Sequence, residues 1–333
     1  MSGTGSTGGA SRQSRRRASG VVAITGIHGE LARRLVSRLE ADDRAAAIVL
    51  IDQRAPERPI GKGRFVELDL TEPLADARLA DVFRSEQVEV VVHLALRESP
   101  SPRGGEAHEL EGIGTMVVLN AVADLVTHGS SVARVVGVTT AMVYGASARN
   151  PLYMTEDQGL AGASADPFVR DKLDVERQFE RFRQRYRIPV CVLRPCWVLG
   201  GRDSILARLA HMRPAITVAG FDPLVQLLHP EDAADALHRA VWRGRDGAYN
   251  LAGAGVLPLS AVLQRVAGFA AALPGPLASL VLEAGWRLRG AGPGVGIEYL
   301  RNPWLVDTAR ARSRLGFAPR YDARTMLAQE AGL

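Results

Sequence analysis

From Val21 onward, short apolar runs alternate with longer stretches in which apolar residues recur every three or four positions. The first pattern suits strands buried on both faces, and the second suits amphipathic helices. On this basis strands are predicted at 21–25, 47–52, 64–68, 88–95, 132–139 and 188–194, and helices at 29–40, 73–85, 106–127, 168–187 and 230–243. Such alternation predicts a parallel sheet with right-handed crossovers and helices on both faces, a doubly wound α/β fold of Rossmann type. The regularity weakens after Pro195, and beyond Gly244 the chain is punctuated by Gly and Pro. A smaller, mostly C-terminal α/β substrate subdomain is expected there.

Composition narrows the class without changing the fold. The chain has 333 residues, 47% of them hydrophobic and 23% charged, with a formal net charge of +5. These values are ordinary for a globular protein and exclude disorder throughout. Arg12, Arg15, Arg16 and Arg17 supply four of the five net charges, so the body is near neutral and residues 1–19 read as a disordered basic tail. A near-neutral body argues against nucleic acid as partner, and Val21–Ile24 is too short for the core of an export signal. The longest uncharged run, 266–282, is broken by Pro274-Gly275-Pro276, and no membrane span is expected. Cys191 and Cys196 are the only cysteines. They are too few for a disulfide scaffold and lack partners for a zinc site, so no metal is expected and the protein reads as cytoplasmic.

The strongest local signal is the first strand running through Gly26, Ile27, His28, Gly29, Glu30 and Leu31 into a helix. Closely spaced small residues let backbone N–H groups and the helix N-terminus approach a pyrophosphate, whose charge the helix dipole favours. Asp52 ends the second strand 26 residues after Gly26, where a carboxylate can accept from the adenosine ribose hydroxyls. Arg54 could instead pair with the additional phosphate of NADP. Two unit charges about 4 Å apart at an effective dielectric near 20 interact by roughly 4 kcal/mol, so Asp52 opposes that phosphate and favours NAD over NADP.

These landmarks, in this order, resemble the extended short-chain dehydrogenase/reductase family, specifically its NAD-dependent epimerase/dehydratase group. Asp69-Leu70 resembles the family's adenine-contacting pair, and His93-Leu94-Ala95-Leu96 its small-residue turn beside the cofactor. Thr139-Thr140 resembles the strand end that delivers the catalytic Ser/Thr, which by spacing is Thr140. Gly114-Thr115 matches a helix motif, although Glu111 stands where asparagine is usual. Arg194-Pro195, His229-Pro230-Glu231-Asp232, Tyr249-Asn250-Leu251 and the stretch from Val306 to Phe317 match later motifs. The resemblance implies NAD(P) on a Rossmann domain of residues 20–195 joined by 226–243, with 196–225 and 244–333 forming the substrate subdomain. It also implies pairing of two copies through helices 106–127 and 168–187, a homodimer.

The family's Tyr-x-x-x-Lys motif has lost its phenol here, because Phe168 precedes Lys172. Lys172 is one of two lysines against 39 arginines, so its recurrence at the motif position implies that it still holds the nicotinamide ribose. A positioned acid or base is typically worth about 100- to 10,000-fold, or some 3 to 5 kcal/mol of barrier. Tyr144 and Tyr153 are the candidate substitute acids.

Other departures bear on substrate. Ala141-Met142 replaces the Asp-Glu pair of sugar 4,6-dehydratases, while Trp197 and Gln226 stand where epimerase-type relatives carry a diphosphate-contacting asparagine and an arginine. With Met142, Trp197 and Val198 as substrate contacts, the expected small-molecule ligand is less charged and more apolar than a nucleotide sugar. The sequence thus supports an NAD(P)-dependent oxidoreductase or epimerase lacking the usual tyrosine, and leaves open a non-catalytic NAD(P)-binding sensor or partner-binding protein.

Overall fold

A computed structural model describes residues 20–101, 104–130, 132–162, 166–200, 204–212, 214–289 and 294–330. The basic tail expected at 1–19 lies outside the described residues. Seven parallel strands form the central sheet. In chain order they are β1 (Gly20–Thr25), β2 (Ala45–Asp52), β3 (Gly63–Glu67), β4 (Val90–His93), β5 (Arg134–Val138), β6 (Val190–Pro195) and β7 (Gly247–Leu251). Their spatial order is β7-β6-β5-β4-β1-β2-β3. The order reverses at β1 and β4, which creates the crevice at the carboxyl ends of the strands where α/β sheets bind ligands.

Side chains of β1 alternate between two cores. Val22 and Ile24 pack with Leu31, Leu35 and Leu39 of α1 (Glu30–Glu40). Ala23 packs with Leu79 and Phe83 of α2 (Ala75–Ser85) and with Val118 and Val122 of α3 (Gly104–Thr127). Burying a Val, Ile or Leu contributes about 1.5–3 kcal/mol, and a slip by one residue would reverse the faces of the whole strand, so the register is strongly fixed. The stretch His108–Thr127 is long and apolar enough to cross a bilayer by length and composition, but in this fold it lies against α2 and against α4 (Pro167–Tyr186), with Val118 and Val122 wholly buried.

Two expectations change. The apolar run predicted as strand 88–95 pairs only over Val90–His93, because Leu94 donates back to Thr25 O at 2.8 Å and Ala95 turns beneath Gly26. Residues 247–251 belong to the central sheet as its edge strand β7, not to the subdomain assigned to 244–333, since they pair with Cys191–Pro195. The remainder builds three two-stranded sheets beside the strand ends, one of them Ala215–Val218 with Ala270–Leu273. Helix α5 (Ile205–His211) comes from this region, and α6 (Pro230–Arg243) docks on α1 through ion pairs of Glu231 with Arg34 and Arg38.

Candidate functional site

Gly26 has φ +78°, a left-handed conformation that strains any residue with a side chain. A Cβ there would also stand 2.4 Å from Ala95 Cα, so the glycine is required twice over. The turn delivers α1, whose N-cap Gly29 offers no side-chain cap. Its first N–H groups therefore depend on something from outside the helix.

Asp52 lies beside this turn. Its carboxylate accepts from Ile27 N at 2.9 Å and from Gln53 N at 2.8 Å, which ties the end of β2 to the glycine turn. His28 Nε2 donates to Arg54 O at 3.0 Å, and Arg33 Nη1 donates to His28 O at 2.9 Å. Arg33, unremarked in the sequence, therefore joins Arg54 at this end.

A cavity of about 790 Å³ runs from Asp52 and Arg54 past Gly26, Gly29 and Leu31 to Thr139, Thr140 and Phe168. It continues to Met142, Trp197 and Val198. This is the size of a site for a cofactor-sized ligand. Leu94, Ala95 and Leu96 form its floor beside the glycine turn, and His28 and Glu30 border it as well. Ile27 is buried below the surface, contributing its N–H to Asp52.

The reaction end departs further from expectation. Lys172 is 1% exposed and donates from Nζ to Glu111 Oε1 at 2.9 Å, while the second oxygen of Glu111 is buried with no partner. The Phe168 ring lies over the same ammonium, 5.3 Å from Nζ to its centroid, and Phe168, not Lys172, lines the cavity. The ammonium expected to hold a ribose is thus already engaged by Glu111, the residue at the usual asparagine position.

Several residues that the sequence singled out are engaged within the protein. Tyr144, weighed as a substitute acid, is 2% exposed and does not line the cavity. Its hydroxyl donates to Asn250 Oδ1 at 2.8 Å and accepts from Arg194 Nη1 at 2.6 Å. Burial raises its pKa, so it is a fixed member of a polar network, not a proton donor to the cavity. Asp69 caps its own turn, accepting from Thr71 N at 2.8 Å and Thr71 Oγ1 at 2.6 Å, while Leu70 packs against Gly114, and neither lines the cavity. Gln226 is spent on the backbone of Val306, bonded in both directions.

Of the two threonines that line the cavity, Thr140 is the one whose hydroxyl hydrogen remains usable. Its Oγ1 accepts from Met142 N at 3.3 Å, leaving its hydrogen for a ligand oxygen. Thr139, its neighbour, donates to Glu176 Oε1 at 2.7 Å. Beneath them His93 joins the layers: Thr115 donates to Glu111 O, so it accepts from His93 Nε2, and Nδ1 accepts from Thr25. Burial, reinforced by the Lys172 charge, lowers the His93 pKa to about 3, so the ring is neutral. At the far end Arg208 of α5 lines the cavity and donates to Pro100 O at 2.6 Å. No motif announces this cation, and it restores positive charge that the sequence departures had seemed to remove. Among the described residues no cluster of His, Cys, Asp or Glu could hold a metal.

Comparison with known proteins fits this geometry. An uncharacterized protein of Mycobacterium tuberculosis (strain H37Rv) is 31% identical over 312 residues, covering 90% of this chain and 80% of the relative. A dTDP-glucose 4,6-dehydratase of Streptomyces venezuelae, solved with NAD and TYD bound, superposes with a TM-score of 0.70 at 18% identity, covering 94% of this chain and 96% of that one. The UDP-glucose 4-epimerase of Thermotoga maritima, solved with UDP-glucose, gives 0.69 at 15% identity, covering 94% and 97%. At these identities the two structures share the fold. The profile of the NAD-dependent epimerase/dehydratase family matches residues 22–252, the stretch that carries the sheet, the glycine turn and both ends of the cavity, and the chain belongs to that family.

Proposed function

We propose that this chain binds NAD along the cavity and acts on a small carbinol or carbonyl substrate seated against Thr140, Met142 and Trp197. The observation that carries the reading is the continuity of one cavity from the Asp52 end, over a glycine that tolerates no Cβ, to the Thr140 end. The residues fit a dinucleotide. Asp52 and Arg54 would hold the adenosine ribose, the backbone of Gly26–Leu31 and the α1 N-terminus would hold the pyrophosphate, and Leu94–Leu96 would flank the nicotinamide half. When bound, NAD supplies the hydride acceptor. Thr140 donates to the substrate oxygen and orients it, and Phe168, Met142 and Trp197 exclude water from that end.

The substrate is proposed to be less polar than a typical nucleotide sugar, on the apolar lining by Met142, Trp197, Ile205 and Leu206. A second reading, a dinucleotide-binding protein without turnover, is favoured by the Phe168 ring over an ammonium already paired with Glu111. Two copies would pair through α3, where Ile113 and Met116 are exposed. The two buried free cysteines suit the cytoplasm.

Calorimetric titration with NAD and NADP tests the core of the proposal. Saturable binding with NAD preferred is expected, and absence of binding by either refutes it. A crystal grown with NAD and soaked in a metabolite mixture then separates the two readings, because a substrate carbon facing the nicotinamide is expected only for the enzyme.

A further inference from the structure

The unsupported N-terminus of α1 is not left open. Glu98, in the segment after β4, places Oε1 3.2 Å from Leu31 N, which donates to it. The same oxygen lies 2.7 Å from where a Cβ on Gly29 would be. The close approach that a glycine at this turn permits is thus used by the protein's own carboxylate, 67 residues away from the N–H it accepts from. Helices α4, α5 and α6 are capped by their own preceding residues, Asp166, Ser204 and His229. Helix α1 is capped from across the crevice.

Resting on the reading that this cavity takes NAD, we propose that Glu98 is an intramolecular competitor for the cofactor's pyrophosphate, so that binding requires the Glu98 carboxylate to leave the α1 N-terminus. Two anions cannot share the same N–H groups, and a helix N-terminus stabilises either one by the same dipole. Two further features bear on it. Glu98 lines the cavity at the level of Gly29 and Leu31. The same segment is tied to the substrate end, because Arg208 donates to Pro100 O at 2.6 Å and to Ser99 Oγ at 3.3 Å.

The test is calorimetry of the full chain, wild type against Glu98→Ala and Glu98→Gln, with NAD, ADP-ribose and adenosine as probes. A helix-terminal charge interaction of ordinary size corresponds to about a 2- to 5-fold shift in the population of the docked state. Glu98→Ala is therefore expected to tighten NAD and ADP-ribose by about that factor and to leave adenosine, which lacks phosphates, unchanged. Glu98→Gln, which keeps an acceptor oxygen but no charge, falls between. Both variants melt close to wild type, which thermal denaturation checks. Unchanged affinity in both variants overturns the competitor, and weaker binding overturns it in favour of a direct contact between Glu98 and the cofactor. If no probe binds wild type or variants, the NAD reading falls and the competitor with it, whereas tight NAD binding insensitive to Glu98 removes the competitor alone.

Discussion

The two ends of the cavity follow different rules. At the Asp52 end, what matters is backbone: a left-handed glycine over Ala95, the N–H groups of Ile27 and Leu31, and a strand end that fixes one carboxylate. At the Thr140 end, what matters is side-chain chemistry, and there Phe168 lines the cavity and a carboxylate stands against Lys172. Binding geometry built from main chain survives side-chain change, because any residue supplies N–H groups. Proton transfer does not, because it needs one group of suitable pKa within reach of one atom.

The sharpest way to break this contrast is to restore the reaction end. Phe168→Tyr puts a phenol beside the Lys172 ammonium and leaves its ion pair with Glu111 intact. Turnover of a metabolite found in the cavity is expected to rise by about 100- to 10,000-fold with little change in cofactor affinity. Steady-state kinetics against wild type measures this, and equal rates would place the chemistry elsewhere. Next in size, Lys172→Met leaves Glu111 as an uncompensated buried charge and should cost about 3–5 kcal/mol, most of it recovered in Lys172→Met/Glu111→Leu. Urea denaturation of the three variants decides whether the pair is coupled.

His93 links the two ends and gives a pH test. Its folded value of about 3 lies well below the usual 6.5, so the unfolded chain takes up a proton first as the solution is acidified. The stabilising contribution is complete above about pH 6.5 and is lost as pH falls toward 3, amounting to a few kcal/mol at roughly 1.4 kcal/mol per unit. The difference in stability between wild type and His93→Gln, followed by denaturation from pH 7 to 4, should shrink across that window. Smallest of all is the exposed charge at the Asp52 end: Arg54→Ala should change the NAD/NADP preference by no more than about 5-fold, as befits a screened surface cation. A change of a hundredfold would give Arg54 a role that its exposure does not suggest.

Much of the contrast was legible in the sequence. The alternation of β1 between two cores is written in the run Val22-Ala23-Ile24, and the missing phenol is plain at Phe168. What escaped has a common physical origin, namely contact between residues far apart along the chain. Glu111 stood out as a departure, but its partner lies 61 residues away and only the packing of α3 on α4 joins them. Arg208 sits on a seven-residue helix without a motif, and Glu98 follows the β4 turn as an ordinary charged residue. Edge strand β7 was missed because five residues containing Asn250 give little period-two signal; the asparagine is buried because it donates to Met154 O and accepts from Tyr144.

The ion pair of Lys172 with Glu111 also constrains how this protein can change. Removing either member alone strands the other charge in the interior at a cost comparable to much of a domain's net stability. Any route that dismantles the pair therefore passes through a destabilised intermediate unless both members change together. The pair acts as a ratchet in mutational space: the apolar lining of the reaction end can drift far more freely than either buried charge can be lost.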